Sequence, residues 1–325
     1  MLPAKPEDFV MTKQKIFKIL LIILSALLGL LFIYSGYTKL YPIEPFEYTF
    51  VDLGIVNWAL APFVARFMIG LEFFIGLMLF FNLYLKKFTI KLTVATLVVF
   101  TIYLLVMIIR EGNNGNCGCF GNAIAMTPLQ AVIKNVIMLA ICFLIYKFHE
   151  GFIPTTTGLK KLTFWLSVLF LLSSMTMPHV LNYVDLSYSE AYLNKPEDKF
   201  KLELDTLFNN STAPKTLSRD KHVLAFMSLS CMHCRVAAKK MRIMHEKNPA
   251  ISFYFVLNGD SIKLKQFYAD TKTQDFPYCI LKARPFIYLA GTNLPTIYLV
   301  NNSVVEHWVN YMQLNQAEVE NWLKE

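Results

Sequence analysis

Five apolar runs constrain this chain more than any other feature. They cover residues 16–34, 61–83, 90–109, 129–146 and 162–178. A helix that crosses a bilayer needs about 20 apolar residues, within a range of about 17–25. The first three runs reach that length, and the last two reach it by borrowing flanking residues. Composition agrees: hydrophobic residues make up 55% and charged residues 17% of 325, where soluble chains carry about 25% charge. This excludes a disordered chain and argues against a wholly soluble one. Six cysteines are too few for a small disulfide-stapled scaffold. The first run is about 19 residues long, beyond the 7–15 of a secretory signal, and no small-residue cleavage site follows it. It reads as an uncleaved first helix.

The net charge of +8 is concentrated in the apolar half, where residues 1–180 hold 14 Lys/Arg against 8 Asp/Glu. A nucleic-acid binder would carry its basic excess on a soluble face, so the excess speaks for membrane orientation. With the N-terminus in the cytoplasm, ten lysines lie in inner segments, and only Lys39 and Arg110 lie in outer loops. The positive-inside rule favours that placement. Everything after about residue 180 then lies outside, as does the loop carrying Cys117 and Cys119. The expected location is a bacterial inner membrane, with both cysteine pairs facing the periplasm or cell exterior, where disulfides persist.

Ionisable residues inside spans need a partner or a function, because each costs about 2.5–3.5 kcal/mol at the bilayer centre on insertion scales. Glu72 lies near the middle of the second span, with Arg66 on the same helix and Lys134 on the fourth, both nearer the outer face. The two cations can snorkel. Glu72 is too short to do so, and is expected either to pair with Arg66 or Lys134 or to stay protonated. The three are also candidates for contact with a quinone head group.

The outer loop reads Arg110-Glu-Gly-Asn-Asn-Gly-Asn-Cys117-Gly-Cys119-Phe-Gly-Asn122, rich in turn-forming residues. Thr127-Pro128 then opens the fourth helix with a cap and a proline. A C-x-C pair closes only a very small, strained ring, and strained, exposed disulfides tend to exchange. Two thiolates also suit Cu(I) or zinc, although the loop supplies no third Cys or His. Three segments, Ser35-Gly-Tyr-Thr-Lys-Leu40, Arg66…Glu72…Gly76 and Cys117-Gly-Cys-Phe-Gly121, resemble the MauE branch of the DoxX-like membrane proteins over roughly residues 10–150. The resemblance implies a four-helix bundle in the inner membrane and a role in redox maturation. MauE proteins are associated with maturing a disulfide-rich methylamine dehydrogenase subunit.

After Asp185 the apolar blocks shorten to strand length. Lys195-Pro-Glu-Asp-Lys199 reads as linker. Val223–Ser228 reads as a buried strand, followed by Cys231-Met-His-Cys234 opening an amphipathic helix to about His245. Ile251–Leu257 reads as a second strand and Ser261–Thr271 as helical. A hairpin across Asn301-Asn302 and a helix over Asn315–Lys324 follow. At a helix N-terminus, backbone N–H groups and the helix dipole stabilise a thiolate. Cys231 is therefore the expected nucleophile, Cys234 the resolving thiol, and His233 a further stabiliser of the thiolate. The order strand, C-x-x-C helix, then βαββα resembles thioredoxin-like proteins over about residues 205–325. That resemblance implies a cis peptide at Leu294-Pro295 facing the active cysteine. Two positions depart from the pattern: Ser230 replaces the usual Trp before the first cysteine, and Met232 the usual Pro after it. Val223–Ser228 offers no carboxylate as proton acceptor. Cys142 and Cys279 stand alone and read as packing residues, as do Trp308 and Trp322. Trp165 and His179 read as interfacial anchors.

The expected architecture is a membrane helical bundle over residues 1–182, a four-helix core plus a fifth span, then a linker over 183–204 and a thioredoxin-like α/β domain over 205–325. The expected function is a membrane-bound thiol–disulfide oxidoreductase acting on extracytoplasmic protein thiols. Cys231/Cys234 would exchange with Cys117/Cys119, with quinone as the candidate electron partner and no metal. Two other classes fit the sequence. One is a non-catalytic anchor or holdase for a secreted client; the other is a Cu(I)-handling protein.

Overall fold

The computed structural model describes residues 6–113, 116–121, 124–182, 199–291 and 293–325. It divides into two compact units, Met1–Phe50 with Val56–Val184, and Asp185–Glu325 with Val51–Ile55. Most of the Lys195–Lys199 linker expectation lies outside the described residues.

The first unit is helical. It contains α1 (Pro6–Leu40), α2 (Glu44–Asp52), α3 (Ala61–Phe80), α4 (Ile90–Glu111), α5 (Pro128–Phe148) and α6 (Thr157–Leu181). Five of these are long and apolar enough to cross a membrane; α2 is the short exception. The core gathers Leu28 and Phe32 of α1, Ile75 and Leu79 of α3, Leu97 of α4 and Cys142 of α5. Large apolar side chains such as Leu20, Ile102, Phe143, Trp165 and Leu172 point outward and are exposed. Soluble domains do not carry so large an apolar surface, and lipid covers it in a membrane protein. Thr127 caps α5 through a reciprocal capping box with Gln130, and Pro128 stands in the first turn.

Helix bounds differ from the sequence reading where polar residues continue a helix. The Ser35–Leu40 segment, expected to follow the first helix, is its C-terminal end. The fifth span begins at Thr157, capped by Thr156, and runs past Pro178 to Leu181. A five-residue π-helical turn, Leu85–Thr89, precedes α4.

Helices α1 and α3 approach most closely at two glycines. A Cβ on Gly29 would lie 2.5 Å from the Gly76 carbonyl oxygen and 2.7 Å from the Phe80 nitrogen. Small residues let membrane helices pack backbone to backbone.

The second unit is α/β. Its elements are β1 (Phe200–Lys201), α7 (Leu204–Asn210), β2 (Lys221–Ser228), α8 (Met232–Lys247), β3 (Phe253–Asn258), α9 (Leu264–Thr271), β4 (Tyr278–Ile280), α10 (Ala283–Ala290), β5 (Thr296–Asn301), β6 (Val304–Val309) and α11 (Gln316–Lys324). The sheet order is β1-β6-β5-β2-β3-β4. Strands β2, β3 and β4 run parallel, while β5 is antiparallel to β2 and β6 antiparallel to β5. With α8 crossing from β2 to β3, and β5–β6–α11 closing the chain, this is a thioredoxin-like arrangement. Strand β2 is buried along Val223–Met227, as a central strand covered on both faces must be. On one face, Leu224, Phe226, Tyr254, Val256 and Val300 pack against Phe286 and Leu289 of α10.

The hairpin turn sits one residue later than the sequence suggested. Asn302 and Ser303, both at positive φ, link β5 to β6, as a two-residue primed turn requires. Phe200–Lys201, which composition reads as linker, forms the edge strand on β6.

The α1–α3 contact leaves no room for a side chain. Gly29→Val is expected to lower stability by roughly 1–3 kcal/mol, the usual effect of overpacking, measured as thermal unfolding in detergent. Gly158→Ala, with open space around its Cβ position, is expected not to lower it.

Candidate functional site

The pair on the α/β unit is built by the junction of β2 and α8. Strand β2 ends at Ser228, whose carbonyl accepts from the Cys231 N–H at 3.1 Å. Cys231 then caps α8: its Sγ accepts the Cys234 N–H at 3.4 Å. Cys234 is fully buried beneath it, and its Sγ accepts the Ser228 N–H at 3.3 Å. Cys231 stays half-buried and Met232 exposed. The first sulfur is thus reachable and the second is not.

Electrostatics separates the two thiols. A hydrogen bond donated by the Cys234 thiol is the largest influence on Cys231. Together with the N–H groups of Cys234 and His233 and the charge of His233, it outweighs burial and lowers the Cys231 pKa from 9.0 to about 6. Cys234, donating that bond and buried, is pushed up. This is the division between attacking and resolving thiol that a helix N-terminus favours. His233 stacks on Tyr311 with ring centroids 5.6 Å apart. The Tyr311 turn is held by the buried Lys240, whose Nζ donates to the Tyr311 carbonyl at 3.1 Å. Lys263 donates to Ser230 Oγ at 2.8 Å. The Leu294–Pro295 peptide is cis. Tyr311, Lys240 and Lys263 carried no sequence signal, because each reaches the site from a distant segment.

The second pair sits in the helical unit, on the loop before α5. Asn116 organises this loop. Its Oδ1 accepts from the N–H groups of Gly118 and Met126, and its Nδ2 donates to the Gly121 carbonyl. Cys117 N–H bonds the Met126 carbonyl at 2.8 Å. Cys117 is buried against Leu104 and Ala131, with Cys119 packed beside it. Gly121, at φ +52°, lies against the Thr38 backbone so tightly that no Cβ fits. A hydrogen bond from Cys119 lowers the Cys117 pKa to about 7 against the effect of burial, with Lys134 and then Lys39 adding to the lowering. Cys119 is raised by that same bond and by burial.

Beneath the loop the structure corrects the expected ion pairs. Glu72 pairs with neither Arg66 nor Lys134. Both its oxygens accept from Lys39 Nζ, at 2.8 and 2.9 Å. Lys39, which the sequence reading placed in an outer loop, is 3% exposed at the end of α1. Its Nζ also donates to Ser35 Oγ at 2.6 Å, and Ser35 Oγ donates to the Cys119 carbonyl at 3.1 Å. Once α1 runs to Leu40, Ser35 and Lys39 fall one turn apart on one face; ending the helix at Tyr34 hid this. Arg66 instead pairs with Glu47 of α2 at 2.6 Å, and its Nε donates to the Asn182 carbonyl. Lys134 lies over the Phe120 ring, 4.5 Å from its centroid. Glu72 and Lys134 line one small cavity together with Ser35, Phe120 and Asn135, and Arg66 does not.

Cys142 and Cys279 are buried. Trp322 is buried and donates to Glu306 at 2.8 Å, whereas Trp308 is 41% exposed. Trp165 is exposed on α6, and His179 bonds the Met175 carbonyl. Among the described residues no three His, Cys, Asp or Glu side chains gather as a metal ion would need.

Two measurements test this geometry. Iodoacetamide alkylation of reduced protein, followed by peptide mapping, should show Cys231 reacting with a midpoint near pH 6 and Cys234 silent there. The folded thiol ionises near 6 and an unfolded one near 9. The unfolded chain therefore binds the extra proton between those values, and the reduced form gains stability as pH rises from 6 to 9. For the ion pair, Glu72→Gln strands a buried ammonium and should destabilise by roughly 3–5 kcal/mol. The double change Lys39→Met with Glu72→Leu should cost less, as read by thermal unfolding in detergent.

Residues 17–148 match the family model for "Methylamine utilisation protein MauE". The chain is 29% identical to "Protein TlpB" of Flavobacterium psychrophilum, over 83% of this chain and 85% of that protein. Among solved structures, the chain is similar to a secreted disulfide oxidoreductase of Mycobacterium tuberculosis homologous to E. coli DsbE. It is 16% identical with a TM-score of 0.26, over 32% of this chain and 81% of that one. Residues 17–148 thus resemble MauE proteins, and the α/β unit that follows has a thioredoxin-like arrangement with its own cysteine pair.

Proposed function

We propose that this protein is a membrane-bound thiol–disulfide oxidoreductase acting on extracytoplasmic protein thiols. The observation that carries the reading is Cys231 capping α8 above the buried Cys234. It makes a reachable, stabilised thiolate backed by a resolving thiol, in a chain anchored by five apolar helices.

The reaction follows from thiolate chemistry. In the oxidising direction, a client thiolate attacks the Cys231–Cys234 disulfide at Cys231 and Cys234 leaves as thiolate. A second client thiolate then resolves the mixed disulfide, taking the client to a disulfide and the pair to a dithiol. Cys231 next attacks the Cys117–Cys119 disulfide and Cys234 resolves that bond, passing two electrons to the loop pair. Tethering raises the concentration of each pair near the other to roughly millimolar. A quinone is the two-electron, two-proton acceptor proposed to reoxidise the loop. The excess of lysines in alternate segments supports a cytoplasmic N-terminus in a bacterial inner membrane, with both pairs outside.

The test is trapping. In Cys234→Ser, Cys231 mixed disulfides can no longer be resolved, so partners accumulate and can be mapped. A Cys231 link to Cys117 or Cys119 is expected beside links to client proteins. Links to clients alone would overturn the internal exchange. No links of either kind would overturn the oxidoreductase reading. In the companion experiment, Cys117→Ser with Cys119→Ser is expected to shift the in vivo redox state of Cys231/Cys234 toward dithiol.

A further inference from the structure

We infer that Lys134 is a positioning residue for the loop cysteine pair, the cation that holds the thiolate formed at Cys117 or Cys119. The inference deepens the proposed exchange and rests on that reading of the loop.

Three observations converge on it. First, Cys117 packs on Ala131 of α5 with Cys119 beside it. Lys134 follows Ala131 by three residues on the same helix, a spacing that places two side chains on one face. Second, Lys134 Nζ sits 4.5 Å from the centroid of Phe120, the residue after Cys119. A ring face attracts a cation without neutralising it, so the contact steers the ammonium toward the loop and leaves its charge free to act. Third, Lys134 is not matched by an anion. Among the described residues none of the ion pairs involves it. The one carboxylate lining the same cavity, Glu72, has both oxygens committed to Lys39.

The other groups facing the pair supply less of that charge. From α1, Lys39 adds a smaller share than Lys134, being paired with Glu72 of α3. From α4, Tyr103 packs near Cys117, and its hydroxyl is directed to Met107 Sδ. On α5 the buried Asn135 bonds Thr101. A cation on an apolar helix is costly, and one left without a carboxylate there has its natural counter-ion in the thiolate that the loop must form during exchange. In the dithiol state the proton leaves one sulfur and the ammonium compensates the resulting charge. When the disulfide re-forms, two electrons go to the acceptor and the thiolate charge disappears.

The experiment uses the full chain in detergent, reduced and alkylated with iodoacetamide over a pH series. Tandem mass spectrometry of the loop peptide reads Cys117 and Cys119 separately, and Cys231 in the same sample serves as internal reference. Lys134→Gln is expected to raise the midpoint of the loop pair by about one pH unit, about a fivefold slower reaction at pH 7. Lys134→Arg, which keeps the charge, is expected to retain the native midpoint, and Cys231 is expected to keep its profile throughout. Should Lys134→Gln not fold, Lys134→Met serves as the neutral variant. A neutral folded variant with an unchanged loop midpoint overturns the inference. So does Lys134→Arg shifting as far as the neutral variant, which marks a packing role. Alkylation needs no exchange between pairs. A shifted midpoint beside negative trapping would therefore fault the relay alone, and an unshifted midpoint beside positive trapping would fault only the role of Lys134.

Discussion

A single buried ion pair dictates much of the helical unit. Lys39 and Glu72 are 3% and 2% exposed, and neither charge is stable in an apolar bundle without the other. Holding them 2.8 Å apart requires α1 to continue as helix through Lys39 and to lie close along α3. The glycine crossing at Gly29 and Gly76 permits that closeness. The same ammonium fixes Ser35, and Ser35 fixes the backbone of Cys119. The cysteine loop is thereby fastened to the bundle through polar contacts, where a glycine- and asparagine-rich segment would otherwise have little to hold it.

In both cysteine pairs the largest influence is the hydrogen bond between the two thiols, and the pairs differ in what adds to it. In the α/β unit the addition comes from backbone N–H groups at the N-terminus of α8, which Cys231 caps, while Cys234 is buried with its Sγ accepting the Ser228 N–H. In the loop no helix begins at either cysteine. There the backbone N–H of Cys119 and the charges of Lys134 and Lys39 add to it.

The five spans were readable because their apolar runs exceed any ordinary core helix. The placement of Cys231 at a helix start was readable because a strand followed by C-x-x-C and an amphipathic helix leaves few alternatives. The pairing of Glu72 was not. Hydropathy falls at Ser35, so the first helix looked finished five residues before the lysine that completes it. Segments shorter than a helical turn, such as β1 and β4, carry too few residues to show a period, and the linker-like composition around Phe200 concealed an edge strand. The turn at Asn302-Ser303 was displaced by one position because Asn301, itself a common turn residue, belongs to β5. Asn116 was invisible as an organiser, since a loop with so many asparagines gives no reason to single one out.

Ser35 donates to the loop backbone and accepts from the ammonium, so a hydroxyl of that length, which can do both at once, sits between two otherwise separate requirements. Replacing it by alanine removes a donor and an acceptor together, and lengthening it displaces the lysine. Residues tied in one network respond non-additively. Positions 35, 39 and 72 are therefore expected to drift as a set over evolutionary time, with tolerated changes arriving in compensated groups. Cys119 takes part through its carbonyl, so this network does not depend on the identity of its side chain.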